Sequence, residues 1–266
     1  MALGSISLSW YAYPHNKALW HGLACDLAQS LRSLGVDVCQ QPNFSDAQAL
    51  VASGAFALAY CCGVDAYRSR NIVEPVAAPI YWHGARDGLY RSVVLVNGSS
   101  RWRTGSLDQL YRDIVSGDAR VAVNQRYSWS GSLVALQELG STVLQNWRRW
   151  PTTGAHLNSL RWLIEGKADA VFLDETSWAM LISAKLPGLR QLRVIGKTDS
   201  MPRCPIVVPK GNLSLRRGVE TVFSTTRAPA LGLTGFYFAE PDFWHERFGD
   251  ALKRLGLSKA IDGQGI

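Results

Sequence analysis

The stretch Val121-Ala-Val-Asn124-Gln-Arg-Tyr-Ser128-Trp-Ser130-Gly131 decides how the rest of this chain is read. Its opening reads as a strand, its Ser-x-Ser-Gly as a turn, and the apolar-periodic run over residues 133–139 as a helix. The same order returns at Thr152-Thr153-Gly154-Ala155-His156, followed by a helical run over 157–165 and the strand Ala170-Val-Phe-Leu-Asp174. Two helices therefore start beside Ser, Thr and Gly, straight after extended segments. A helix start leaves backbone N–H groups without partners and carries a partial positive charge, so two converging starts make an anion receptor. Everything else in the chain reads as the scaffold that presents it.

Working outward, 266 residues bury a sizeable core and suit one large domain or two lobes of about 100 to 150 residues. With 47% hydrophobic and 18% charged residues the composition excludes a disordered chain. The net charge of +7 favours anionic partners, but Lys and Arg are scattered apart from Arg148-Arg149 and Arg216-Arg217, and no recognition motif accompanies them. Nucleic acid is therefore not an expected partner. Cys25, Cys39, Cys61, Cys62 and Cys204 show neither CxxC nor zinc spacing, and their odd number argues against a disulfide framework. No metal set or cofactor loop is visible, so no cofactor is expected. Cys61-Cys62-Gly63 lacks the spacing of a reactive pair, and Cys62 reads instead as a lining residue of a ligand cleft. No apolar run approaches the ~18 residues of a membrane span. The start Met1-Ala-Leu-Gly leads straight into a strand without a basic and then apolar leader, which makes the chain as given cytoplasmic unless a leader has been removed.

In chain order, residues 6–11 read as a first strand and Tyr13-Pro14-His15-Asn16 as a turn. Residues 17–34 form a helix with Leu19, Leu23, Leu27 and Leu31 on one face, closed by Gly35. Val36-Asp-Val-Cys39 is a second strand, and Asp46 opens a helix over 47–52. Phe56-Ala-Leu-Ala-Tyr-Cys-Cys62 is apolar throughout, as in a strand buried on both faces of a parallel sheet. Strands over 73–82 and 91–97 follow, then a helix over 107–115. The second lobe continues through Leu192-Arg-Val-Ile-Gly196, and Cys204-Pro-Ile-Val-Val-Pro209 returns to the first after the turn Asp199-Ser-Met-Pro202. Helices from Leu215 and Phe243 end the chain. This is an α/β protein of two lobes: residues 1–95 with 201–266, and residues 96–200 carrying the anion-binding helix starts. Two hinge crossings, near Val96 and Met201, would let the lobes close like a clam on a ligand.

The order of these motifs resembles the substrate-binding proteins of phosphate, phosphite and phosphonate ABC transporters, with their type 2 periplasmic-binding fold. The residues that carry the resemblance are Leu89-Tyr-Arg-Ser-Val-Val94, Ala122-Val-Asn124 with Ser128-x-Ser130-Gly131, Gly154-Ala-His156-x-x-Ser159-Leu160, and Ala168-Asp-Ala-Val-Phe-Leu-Asp174-x-x-x-Trp178. Cys62-Gly63 and Trp20 add to it, so that it spans Tyr11 to about Pro209. The resemblance implies a non-catalytic receptor for a small oxyanion that serves an ABC permease if the chain is exported, with a periplasmic location. It also implies that Ser128, Ser130 and Gly131 bind the oxygens, that His156 adds a donor, that Asp174 meets an amine at the ligand's far end, and that Tyr11, Tyr13 and Tyr60 close over it. Trp129 stands where that family usually has a small polar residue, and Ala155 replaces a Ser. Each removes a hydroxyl, and Trp129 would narrow the cleft or stack on a flat ligand.

For Ser128 and Ser130 the plainer alternative is ordinary helix capping without a ligand. Two functional rivals also stand. A cytoplasmic enzyme on the same fold would act on a small organic acid with His156 and Asp174 as acid and base. A stand-alone ligand sensor would pass closure on to a partner.

Overall fold

The structure, a computed structural model, describes residues 4–7, 16–39, 44–83 and 87–258. Tyr11 and Tyr13, and with them most of the expected 6–11 strand and the turn after it, lie outside the described residues. Two compact units emerge. One holds the described residues up to Leu89 together with Pro202–Asp250, and the other holds Tyr90–Met201 with the described residues from Ala251 on.

The first unit is built on a six-stranded sheet in the order Leu233–Phe238, Val73–Tyr81, Ile206–Pro209, Leu58–Tyr60, Gly4–Ser7, Val36–Cys39. Gly4–Ser7 runs parallel to both of its neighbours, with Ile6 opposite Leu58 on one side and Cys39 on the other. Ile206–Pro209 lies antiparallel between Leu58–Tyr60 and Val73–Tyr81. The sheet is therefore mixed and not the parallel one expected. Leu58, Ala59 and Tyr60 are all buried, as their unbroken apolar run required. Val73–Tyr81 carries Pro75 and Pro79 although it has a partner on both sides, and proline donates nothing to a ladder. Its partners accommodate this with register shifts at Ile206/Val207 and Leu233/Gly235. The Leu233–Phe238 edge strand was not anticipated. Gly235 interrupts it, and it shows no strict alternation of buried and exposed residues.

The helix Lys17–Ser30 buries Trp20, Ala24, Leu27 and Ala28, and Leu31 just beyond it is fully buried. This corrects the expected Leu19-Leu23-Leu27-Leu31 face, since Leu19 is 45% exposed. The large Trp20 and two alanines set the buried stripe one residue round, where small side chains let the helix lie close to its support. Gly35 takes a left-handed φ of 84° and closes the 3-10 turn Arg32–Leu34. The next helix is Phe44–Ser53, so Asp46 lies inside it and does not open it.

The second unit has a three-stranded sheet in the order Ala170–Asp174, Ser92–Asn97, Leu192–Lys197. Both pairings are antiparallel, with Ser92 opposite Asp174 and Val96 opposite Ala170. Val121 to Asn124 forms no full strand; it makes isolated parallel bridges, Val121 to Ala170 and Val123 to Thr152. The reason lies in the backbone, because Arg120 O and Val123 O are each taken by a different segment and neither ladder continues. The helices Leu107–Ser116, Val134–Leu139, His156–Ile164 and Glu175–Ser183 belong to this unit. Its buried apolar residues include Val94, Leu95, Leu110, Leu133, Leu163 and Phe172. The chain passes between units through Leu89–Tyr90 and Met201–Pro202, two short strands that pair with each other. No helix among the described residues is long and apolar enough to cross a membrane.

Candidate functional site

The Ser-x-Ser-Gly turn sits at a helix start. Ser128 is extended, and its Oγ accepts from Gly131 N at 3.3 Å. The residues Trp129–Leu133 then form one wide π turn, closed by Leu133 N donating to Ser128 O at 3.0 Å, before the regular helix Val134–Leu139. Such turns occur disproportionately at functional sites. Capping by Ser128 satisfies one amide of the first turn and leaves its neighbours without intrahelical acceptors. Ser130 Oγ makes no hydrogen bond among the described residues, while its carbonyl accepts from Ser92 Oγ at 2.9 Å. Ser92 thus fixes the peptide that aims the turn.

Behind the turn stands Trp147. Its indole Nε1 donates to Ser132 Oγ at 2.8 Å, and both residues are buried. Arg126 lies 5.1 Å over the Trp147 ring and donates to the carbonyls of Trp147 and Trp150. That guanidinium anchors the loop that leads into Ser128.

The second helix start is His156–Ile164. Its N-cap is Ala155, whose extended backbone (φ −154°, ψ 154°) brings no side-chain acceptor to the first amides. Thr153 does not cap either, because its hydroxyl pairs with Ser159 Oγ at 2.7 Å and holds the turn. The backbone joins the two motifs directly: Gly154 N donates to Asn124 O at 2.8 Å and Thr153 N to Val123 O at 2.8 Å.

Asn124 is where the two starts meet. Its Nδ2 lies 3.5 Å from His156 Nε2. A Cβ on Gly131 would come within 1.9 Å of Asn124 Oδ1 and 3.3 Å of His156 Cε1, so only glycine allows this approach. His156 Nε2 also lies 3.6 Å from Asp174 Oδ2. Burial holds the His156 ring below its ordinary value of 6.5, and the Asp174 charge opposes that shift only in part. The other carboxylate oxygen, Asp174 Oδ1, accepts from Ser177 N at 2.7 Å and caps the helix Glu175–Ser183. Two buried side-chain atoms at the meeting point, Asn124 Oδ1 and His156 Nδ1, have no hydrogen-bond partner among the described residues. Leaving such atoms unpaired costs about 1–3 kcal/mol each.

The structure thus brings Ser128, Ser130, Gly131, His156 and Asp174 into one cluster within the second unit. Asp174 is 2% exposed and engaged by its own helix and by His156, so it stands behind the histidine and offers no open carboxylate to a ligand amine. Trp129 has no exposed surface at all, so the stacking face expected of it is not open. Tyr60 and Cys62 belong to the first unit and are buried, Tyr60 ending the Leu58–Tyr60 strand and Cys62 preceding the helix Gly63–Arg68. Cys61 beside it packs with Val51, Phe56, Ala59 and Val207, and burial pushes its thiol up, away from reactivity. The sequence reading missed Ser92, Asn124 and Trp147 as site residues. Asn124 carried a legible signal, a polar residue that ends an apolar extended run just before the turn. Ser92 and Trp147 act through distant contacts that no local pattern announces. Among the described residues no group of three His, Cys, Asp or Glu could hold a metal ion.

Comparison with known proteins agrees with this architecture. Residues 8–232 match the family described as "ABC transporter, phosphonate, periplasmic substrate-binding protein". The chain belongs to that family, the solute receptors of ABC phosphonate transporters. No curated protein sequence matches significantly. Among solved structures, a binding protein component of an ABC phosphonate transporter from Pseudomonas aeruginosa is similar over 100% of this chain and 90% of its own, with a TM-score of 0.77 and 16% identity. PhnD1 from Prochlorococcus marinus in complex with methylphosphonate is similar over 96% and 98%, with a TM-score of 0.74 and 14% identity. A Xanthomonas citri protein bound to ATP reaches 0.66 at 18% identity over 98% and 99%. At these identities the likeness is one of fold.

Proposed function

We propose that this protein binds a small phosphonate or a closely related oxyanion without turning it over, and hands it to a membrane permease. One observation carries the reading. The Ser128–Gly131 turn and the start of the His156–Ile164 helix meet around Asn124, with hydroxyls, uncapped amides and two unpartnered buried polar atoms at the same place. Helix starts favour anions, and a phosphonate presents several oxygens to such a set. Ser128 Oγ, Ser130 Oγ and the first-turn amides supply the donors. Four charge-assisted hydrogen bonds contribute a gross ~6–12 kcal/mol before desolvation, and micromolar binding needs about 8. The remainder comes from closure: the two units act as lobes, hinged at Leu89–Tyr90 and Met201–Pro202. In this reading Tyr11, Tyr13, Tyr60 and Cys62 are the first lobe's contribution, through side chains or backbone. The methylphosphonate held by the Prochlorococcus marinus structure supports the choice of ligand class.

The test is calorimetric titration with methylphosphonate, ethylphosphonate, phosphate, phosphite and acetate. Selective binding of a phosphonate, weakened about tenfold or more in Ser130→Ala through loss of one charge-assisted bond, is the expected result. Equal binding in Ser130→Ala, or binding of acetate alone, would place the ligand elsewhere.

A further inference from the structure

Ser92 makes a connection that the binding site alone does not require. Its hydroxyl donates to Ser130 O of the anion turn at 2.9 Å, its amide donates to Thr198 Oγ1 at 3.0 Å, and its carbonyl accepts from Thr198 N at 2.9 Å. Ser92, Ser130 and Thr198 are all buried. The Thr198 hydroxyl passes the contact on by donating to Asp199 O at 3.2 Å. A second arm reaches the same residue. The helix Val134–Leu139 continues from the anion turn, and Glu138 near its end accepts from Asp199 N at 2.9 Å through Oε1. Asp199 is exposed, and a turn residue can leave its backbone groups to water. Here both are taken, each by a residue tied to the anion turn. Asp199 leads through Ser200 into Met201–Pro202, the return crossing, and Ser200 Oγ accepts at 3.0 Å from Nε of Arg91, which follows the first crossing Leu89–Tyr90.

We infer that Thr198 and Glu138 are positioning residues that brace the return crossing against the anion turn, so that a ligand seated on the turn and the hinge bias one shared element. This rests on the proposed function and deepens it. A ligand oxygen that engages Ser130 holds that residue from one side, while Ser92 holds its carbonyl from the other. The order gained there extends through Thr198 and Glu138 to residues 198–200, and flexing on closure is confined to the crossing strands. Coupling between two sites needs such an element, whose equilibrium both of them bias. Without the brace the turn still binds an anion. Binding then no longer selects the closed arrangement, and the apparent affinity loses the share that closure supplies.

The test uses the full chain with methylphosphonate and two readouts, affinity by calorimetric titration and contraction at saturating ligand by small-angle X-ray scattering. The wild type should contract on saturation. Thr198→Val keeps the outline of the side chain and removes its hydroxyl. It should bind at least about fivefold more weakly and contract less at saturation. Thr198→Ser keeps the hydroxyl and should restore both. Glu138→Ala cuts the second arm at a half-buried side chain and leaves Thr198 in place. It should show the same two losses, and it carries the test if Thr198→Val does not fold. A purely structural role would lower Tm and leave the contraction at saturation intact. That result, or a wild type that binds methylphosphonate without contracting, would overturn this inference and leave binding at the anion turn standing. No binding of any phosphonate by the wild type would overturn both.

Discussion

Gly131 is the residue at which the two halves of the site are forced together. Its missing side chain is what lets Asn124 Oδ1 occupy the space 1.9 Å from where a Cβ would be. Gly131→Ala must therefore displace Asn124, and should destabilise the protein by about 1–3 kcal/mol as an overpacked site, with phosphonate binding lost. Urea denaturation read beside a binding titration checks both effects, and unchanged affinity would show that Asn124 has no bearing on the ligand. The acidic side of the stability curve belongs to this scale too. Burial makes His156 harder to protonate in the folded chain than in the unfolded one, so the unfolded state binds more protons between the depressed value and 6.5. Stability should be complete above that ordinary value and fall as pH drops below it. His156→Gln should flatten this slope, and the part that remains belongs in some measure to His245, which burial also lowers. An identical slope in the variant, measured by denaturant unfolding on both sides of pH 6.5, would mean that His156 is not buried as described.

Elements hold that cluster from behind. Ser132 and Trp147 form a buried pair at 2.8 Å, so Ser132→Ala strands an indole N–H and should cost about 1–3 kcal/mol. Trp147→Phe with Ser132→Ala removes both partners and should recover part of that loss, which a double-mutant cycle reads. Asp174→Ala removes the cap of the Glu175–Ser183 helix, worth about 1 kcal/mol, and also strips the charge beside His156. Much of this level was legible in the sequence. The turns at Ser128 and Gly154 are legible as small residues between an extended segment and an apolar-periodic one, and both helices form there, although only Ser128 caps its helix through a side chain. The first helix starts at Lys17 as expected but ends at Ser30, short of the expected residue 34, where the 3-10 turn Arg32–Leu34 takes over. Its buried face also differs, because leucine spacing alone does not say that Trp20, Ala24 and Ala28 make the closer fit. The Val121 segment keeps its extended course but pairs only through isolated bridges. Sequence patterning registers extension and cannot register how many residues a neighbour will match.

For the whole molecule, the crossings were read near Val96 and Met201, from the order of strands and the turn at Asp199-Ser-Met-Pro202. The chain passes between the two units at Leu89/Tyr90 and Met201/Pro202, and the residues from Ala251 on group with the second unit. No local pattern marks that last change, which falls within the single helix Asp242–Arg254. The mixed pairing of the first sheet was equally hidden, because an apolar strand buried on both faces looks alike whether its neighbours run parallel or antiparallel. Family membership sets the role, a receptor whose purpose is to bind and release. The measurement that tests the central claim most directly is thermal unfolding of the wild-type protein and of Ser130→Ala with and without saturating methylphosphonate. A ligand at about a hundred times its dissociation constant stabilises the folded state by roughly 2.7 kcal/mol, so the account predicts a clear rise in Tm for the wild type and a much smaller one for the variant. The same rise in both proteins, or no rise with any phosphonate, would contradict it.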